Sequence, residues 1–188
     1  MTLEVGPGES GLLARQAEAS PAFQLKRILA PIDFSECSKK ALQYAVAFSA
    51  QFQASVALLY VIEIPYKNPE VPLIELDQWQ TQMRENGEAK LKNLLNENGF
   101  QSISTEPLIR IGNPYREIIQ IAKDKEIDLI VLSTHGHSGF SRLIMGSTAE
   151  RVVRHAPCPV LVVREHEHDF VEGSAGIKRF LGEHPSFG

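Results

Sequence analysis

The chain has 188 residues, 43% of them hydrophobic, and carries 19 Lys and Arg against 23 Asp and Glu, for a formal net charge of −4. A chain of this length buries roughly 70% of the surface that its unfolded form exposes, enough for one domain with a full core. The mildly acidic balance has no basic block, which argues against nucleic acid as a partner, and no run approaches the ~18 apolar residues of a membrane span.

Residues 1–24 hold early acids (Glu4, Glu9) and Gly/Pro breaks, without the basic start and apolar run of a signal peptide. They are expected to form a flexible arm. Residues 26–32, including Ile28, Leu29, Ala30, Pro31 and Ile32, predict a first strand. Residues 38–53 place Ala41, Leu42, Ala45, Phe48 and Phe52 along one helical face. Residues 55–64 form an almost unbroken apolar run, which suits a strand covered on both faces. Pro65, Pro69 and Pro72 punctuate a loop, and residues 77–98 predict a longer, more polar helix that Asn98-Gly99 ends. Residues 102–111 predict a third strand. Asn113-Pro114 has the form of an N-cap followed by proline at the first helical position, and Ile118, Ile119 and Ala122 give that helix its apolar side. Residues 128–133 predict a fourth strand, 146–155 a fourth helix and 159–163 a fifth strand. After Arg164 the chain turns polar (Glu165 to Asp169) and then Gly-spotted; residues 177–181 have the composition of a short helical turn. No internal repeat is present.

Alternating strands and helices predict an α/β fold: an open five-stranded parallel sheet with helices on both faces. Ligands of such sheets sit at the carboxyl ends of the strands, at the switch point. Two segments converge there. One is Pro31-Ile32-Asp33. The other is residues 130–147, IVLSTHGHSGFSRLIMGS, which run from strand through a Gly-containing loop to a helix start. That arrangement gathers backbone N–H groups around a phosphate, and Gly136 and Gly146 allow close backbone approach.

Each of these residues also has a purely structural reading. Ser147 and Glu150 have the spacing of a capping box, and Asp33 has the position to cap the helix over 35–53. His135 and His137 flank Gly136, but no third metal ligand is placed by a motif, so no metal is assigned. Arg142 suits either a phosphate or the surface. Cys37 and Cys158 have no CxxC or metal spacing and read as reduced thiols. Several enzyme signatures are missing: GxxxxGK[ST], GxGxxG after the first strand, and GxSxG. The phosphate loop has no Lys and no evident general base, which favours binding over turnover.

From Gly136, nine residues intervene before Gly146-Ser147, and residues 142–163 read RLIMGSTAERVVRHAPCPVLVV. Across about residues 25–164, this pattern resembles the universal stress protein family, leaving 1–24 and 165–188 as tails. The ATP-binding branch of that family carries Gly, two residues, Gly, nine residues, then Gly-Ser or Gly-Thr. Here Ser133 stands in place of the first Gly.

The resemblance implies a Rossmann-like, adenine nucleotide alpha hydrolase-like sheet that binds ATP, with Mg2+. It implies that Asp33, after Pro31 and Ile32, contacts the adenosine part. It further implies that the Val61 backbone reads the adenine edge and that Leu132 packs near sugar and base. Ser133, Gly136, His137, Gly146, Ser147 and Thr148 would complete the site around the phosphates. It also implies a homodimer through the last strand, 159–163, and a cytoplasmic regulatory or stress-response role with a protein partner. Two other readings stand beside it: a member acting purely by protein–protein contact, with Ser133 as its sequence support, and a slow ATPase using His137 or Ser147.

Overall fold

The computed structural model describes residues 24–64, 73–96, 100, 103–134, 145–164 and 171. Its elements are β1 (Arg27–Ile32), α1 (Glu36–Phe52), β2 (Ser55–Ile62), α2 (Leu73–Asn96), β3 (Thr105–Ile111), α3 (Pro114–Asp124), β4 (Leu129–Ser133), α4 (Ser147–His155) and β5 (Val160–Val163). The five strands are all parallel, in the order β3-β2-β1-β4-β5. This is the open parallel α/β sheet that the alternation predicts. Element bounds shift slightly: α2 begins at Leu73 rather than at 77, β3 at Thr105 rather than at 102, and β5 at Val160 rather than at 159. The proline loop at 65–72, the Asn98-Gly99 stop, the turn at 177–181 and the tails at 1–23, 165–170 and 172–188 lie outside the described residues.

Strand side chains alternate between two cores, as the pleat requires. Ile28, Ala30, Val56, Leu58 and Val131 face α1 and α2, where they meet Ala41, Leu42, Ala45, Leu91 and Leu94. Leu29, Ala57, Leu59, Ile130 and Leu132 face α3 and α4, against Ile118, Ile121, Ala149 and Val152. Burial on both faces explains why β1, β2 and β4 read as continuous apolar runs. Each fully buried Leu or Ile here contributes about 1.5–3 kcal/mol. The amino edge is tied down by Asp128, whose Oδ2 accepts the N–H groups of Lys26 (2.9 Å) and Arg27 (2.8 Å).

The carboxyl edge is looser, for a reason visible in β1. Ser55 N–H donates to Lys26 O on the β2 side, and Asp128 N–H donates to Arg27 O on the β4 side. Alternation therefore turns the odd-numbered β1 residues toward β4. Pro31 falls on that side and has no N–H to donate. Pairing of β1 with β2 runs through to Ile32↔Tyr60, whereas pairing with β4 extends only to Leu29↔Ile130. The strands part beyond that point, at the place where the chain order reverses.

Cys37 is buried, with its thiol directed at Val163 O (3.8 Å), and Cys158 is half-buried; both are free. Burial pushes the Cys158 thiol up from its ordinary value, and the nearby Asp128 carboxylate adds to the effect. A raised value keeps this thiol protonated and poorly nucleophilic near neutrality.

Candidate functional site

The gap between the ends of β1 and β4 is a cleft of about 380 Å3, within the range of small-molecule sites. One wall is the β1–α1 turn. Asp33 does not cap α1: the cap is Ser35, whose Oγ accepts the Ser38 N–H (3.2 Å). Asp33 acts one step earlier. Its Oδ1 accepts both the Ser35 N–H (3.0 Å) and the Ser35 hydroxyl (2.6 Å), closing an Asx-type turn that holds the cap in place. Phe34 reverses the chain at φ +67°, a left-handed conformation unusual for a bulky residue. Its ring lies edge-on to Tyr60, with centroids 5.0 Å apart and Lys90 Nζ at 5.4 Å from its centre.

The opposite wall is the start of α4. The expected capping box is absent, because the helix begins one residue earlier than a Ser147 cap requires. Gly146 is the N-cap, in extended conformation, and its carbonyl accepts the Glu150 N–H (3.0 Å). Glu150 turns to Arg154 instead, at 2.8 Å. Among the described residues nothing bonds the Ser147 hydroxyl. The amides of Ser147, Thr148 and Ala149 precede the first intrahelical bond and line the cleft, and the helix dipole adds positive potential there. Gly146 itself is required by space. Its N–H donates to Thr134 O at 2.8 Å, and a Cβ would stand 2.9 Å from that same oxygen. α3 is entered as expected with Pro114 at its start, but the Asn113 side chain makes no capping bond.

The cleft gathers Pro31, Ile32, Asp33, Val61, Leu132, Ser133, Gly146, Ser147 and Thr148. Gly136, His137, His135 and Arg142 lie outside the described residues. Ser38, Leu59, Glu63, Pro114, Ile118, Thr134 and Ala149 also line it and were not anticipated. Glu63 and Pro114 were findable in principle, since each follows a strand at the carboxyl edge. Ser38 and Ile118 sit one turn into helices, where only the fold reveals which face meets the cleft. No Lys, Arg or His is among the described lining residues, and no group of three or more metal-ligating side chains occurs among the described residues. The arrangement offers amides and hydroxyls at one end, carboxylates at the other and apolar side chains between. Among its described residues it holds no nucleophile–base pair.

Comparison with known proteins agrees on the fold. The universal stress protein family model matches residues 24–164. Universal stress protein MJ0531 of Methanocaldococcus jannaschii is 37% identical over 145 residues, covering 74% of this chain and 82% of that protein. The solved structure of MJ0577, from the same organism, superposes with a TM-score of 0.67 at 30% identity, covering 78% of this chain and all (100%) of the other. A universal stress protein family structure from Arabidopsis thaliana with AMP bound shares the fold at 18% identity and a TM-score of 0.51, covering 80% and 99% of the two chains.

The two serines at helix starts separate by measurement. Ser35→Ala removes a true cap and should cost about 1 kcal/mol in chemical denaturation. Ser147→Ala should change stability by less than about 0.5 kcal/mol. A loss at Ser147 equal to that at Ser35 would contradict the assignment of Gly146 as the cap.

Proposed function

The chain belongs to the universal stress protein family, and we propose that its cleft binds ATP with Mg2+ as a regulatory ligand. The observation that supports this most is the set of α4 amides, unpaired among the described residues, at a cleft at the switch point. The Ser147 and Thr148 hydroxyls lie beside them, and an apolar passage of Leu59, Val61 and Leu132 suits a base and sugar. The phosphates take the amide end, and the adenosine part extends toward Asp33 and Val61. The lining has no cationic side chain among its described residues, so Mg2+ and the helix end supply the counter-charge. The AMP bound to the Arabidopsis protein supports a nucleotide as the ligand class. Ser133 lines the cleft and leaves it open, consistent with binding in spite of the departure from Gly.

In this reading ATP acts by differential affinity for two states of the protein or its complexes, and the described lining residues include no nucleophile–base pair. We place this role in the cytoplasm, where free thiols such as Cys37 and Cys158 stay reduced. No described helix is long and apolar enough to cross a membrane. We further propose that β5 pairs with the β5 of a second copy. Its other edge carries β4, and Val160, Leu161 and Val162 are only half-buried within the chain; an apolar edge strand of this kind calls for a covering partner.

Calorimetric titration of nucleotide-free protein with Mg-ATP should show saturable binding at one site per chain. Gly146→Leu, which drives a side chain into the Thr134 carbonyl, should lose that binding. Flat heats for the wild-type protein would remove the ATP reading and favour action by protein contact alone. Sedimentation should give a dimer for the wild type and a monomer for Val162→Pro, which deletes an edge donor; a wild-type monomer at micromolar concentration would remove the β5 pairing.

A further inference from the structure

We propose that Glu63 selects the base of the bound nucleotide by accepting a hydrogen bond from the exocyclic 6-amino group of adenine. The inference rests on the nucleotide reading above and names a side chain that sets its specificity.

The cleft wall carries two carboxylates, Asp33 and Glu63, and they are not equivalent. Asp33 is engaged with the Ser35 N–H and hydroxyl. Glu63 has no hydrogen-bond or ionic partner among the described residues, and it is exposed at the rim. A carboxylate is an acceptor only. It repels phosphate and any carbonyl oxygen, and it favours an N–H or O–H donor.

Topology decides which donor arrives. The α4 amides, unpaired among the described residues, fix the phosphate end on the β4 side of the cleft. The strands run β2-β1-β4, so β2 lies across β1 from that end. The part of a nucleotide that reaches β2 is the one farthest from its phosphates. That is the base; the sugar, bonded to the phosphate, remains beside β1. Val61 and Glu63 both line the cleft from the end of β2. Backbone at Val61 supplies one edge contact, and Glu63 supplies an acceptor that adenine satisfies with its 6-amino group. A 6-oxo purine would set its carbonyl oxygen against the carboxylate. Carboxylates pair with exocyclic amino groups of bases in this way elsewhere in recognition. A site built around such a bond rejects the analogue that lacks the donor.

The test is calorimetric titration of the full chain with Mg-ATP and with Mg-ITP, which differs from ATP by 6-oxo in place of 6-amino. Wild type should bind ATP about tenfold or more tighter than ITP, the scale of a hydrogen bond to a charged group. Glu63→Gln presents an amide that can donate to a 6-oxo group; it should bring the two affinities close to each other, chiefly by tightening ITP. Glu63→Ala should weaken ATP and leave ITP unchanged or tighter. Glu63 is exposed, so the variants should melt with the wild type, which verifies folding. Equal wild-type affinities, or an ATP/ITP ratio that neither variant changes, would overturn the proposal while leaving ATP binding intact. Binding of neither nucleotide would remove the ATP reading, and this proposal with it.

Discussion

The parting of β1 from β4 beyond Leu29↔Ile130 is the constraint on which the rest of the molecule's surface chemistry depends. Two parallel strands at the centre of a sheet would ordinarily pair to their ends. Here β1 places Pro31 on the side that faces β4, and proline has no N–H to offer. β1 remains zipped to β2 through Ile32, so the opening is confined to one flank. The crossovers add to it: α1 covers one face, and α3 and α4 the other. The helices that follow β1 and β4, α1 and α4, lie on opposite faces, and a crevice is left between the strand ends.

Backbone contacts then set what that crevice offers. The Gly146 N–H meets Thr134 O, and the Thr134 N–H meets Val163 O. The end of β4 is thereby fastened to β5 on one side and to the head of α4 on the other. This fixes where the unpaired amides of Ser147, Thr148 and Ala149 stand. A side chain at 146 would push the two apart, so the glycine is there for space and not for a special φ; its φ of −60° is open to any residue. Opposite, the Asp33–Ser35 turn and the left-handed Phe34 hold the second wall. The result is a polarised cleft, positive in potential at the α4 end and carboxylate-bearing at the β1/β2 end. An elongated ligand with an anionic head and a donor-bearing tail is oriented by that polarity alone.

Much of this was legible beforehand. The apolar run of β2 marks a strand buried on both faces, and the alternation of strands and helices marks the parallel sheet. Nine of the anticipated residues meet in one cleft because they lie at the carboxyl ends of β1, β2 and β4 or at the head of α4, which share one edge of the sheet. What was not legible depended on register and on competition for single hydrogen bonds. The Ser147–Glu150 spacing fits a capping box, but Gly146 takes the cap position once its N–H is held by Thr134, and Arg154 draws Glu150 away. Asp33 fits an N-cap, but Ser35 is nearer the first turn and leaves Asp33 to support it.

Amide NMR of the full chain with and without Mg-ATP tests the central claim most directly. The account predicts that the amides of Ser147, Thr148 and Ala149 shift and gain exchange protection on saturation, together with that of Val61, while the amino edge around Lys26 and Asp128 stays unchanged. Saturable binding that leaves those α4 amides unaffected and perturbs another surface would contradict it.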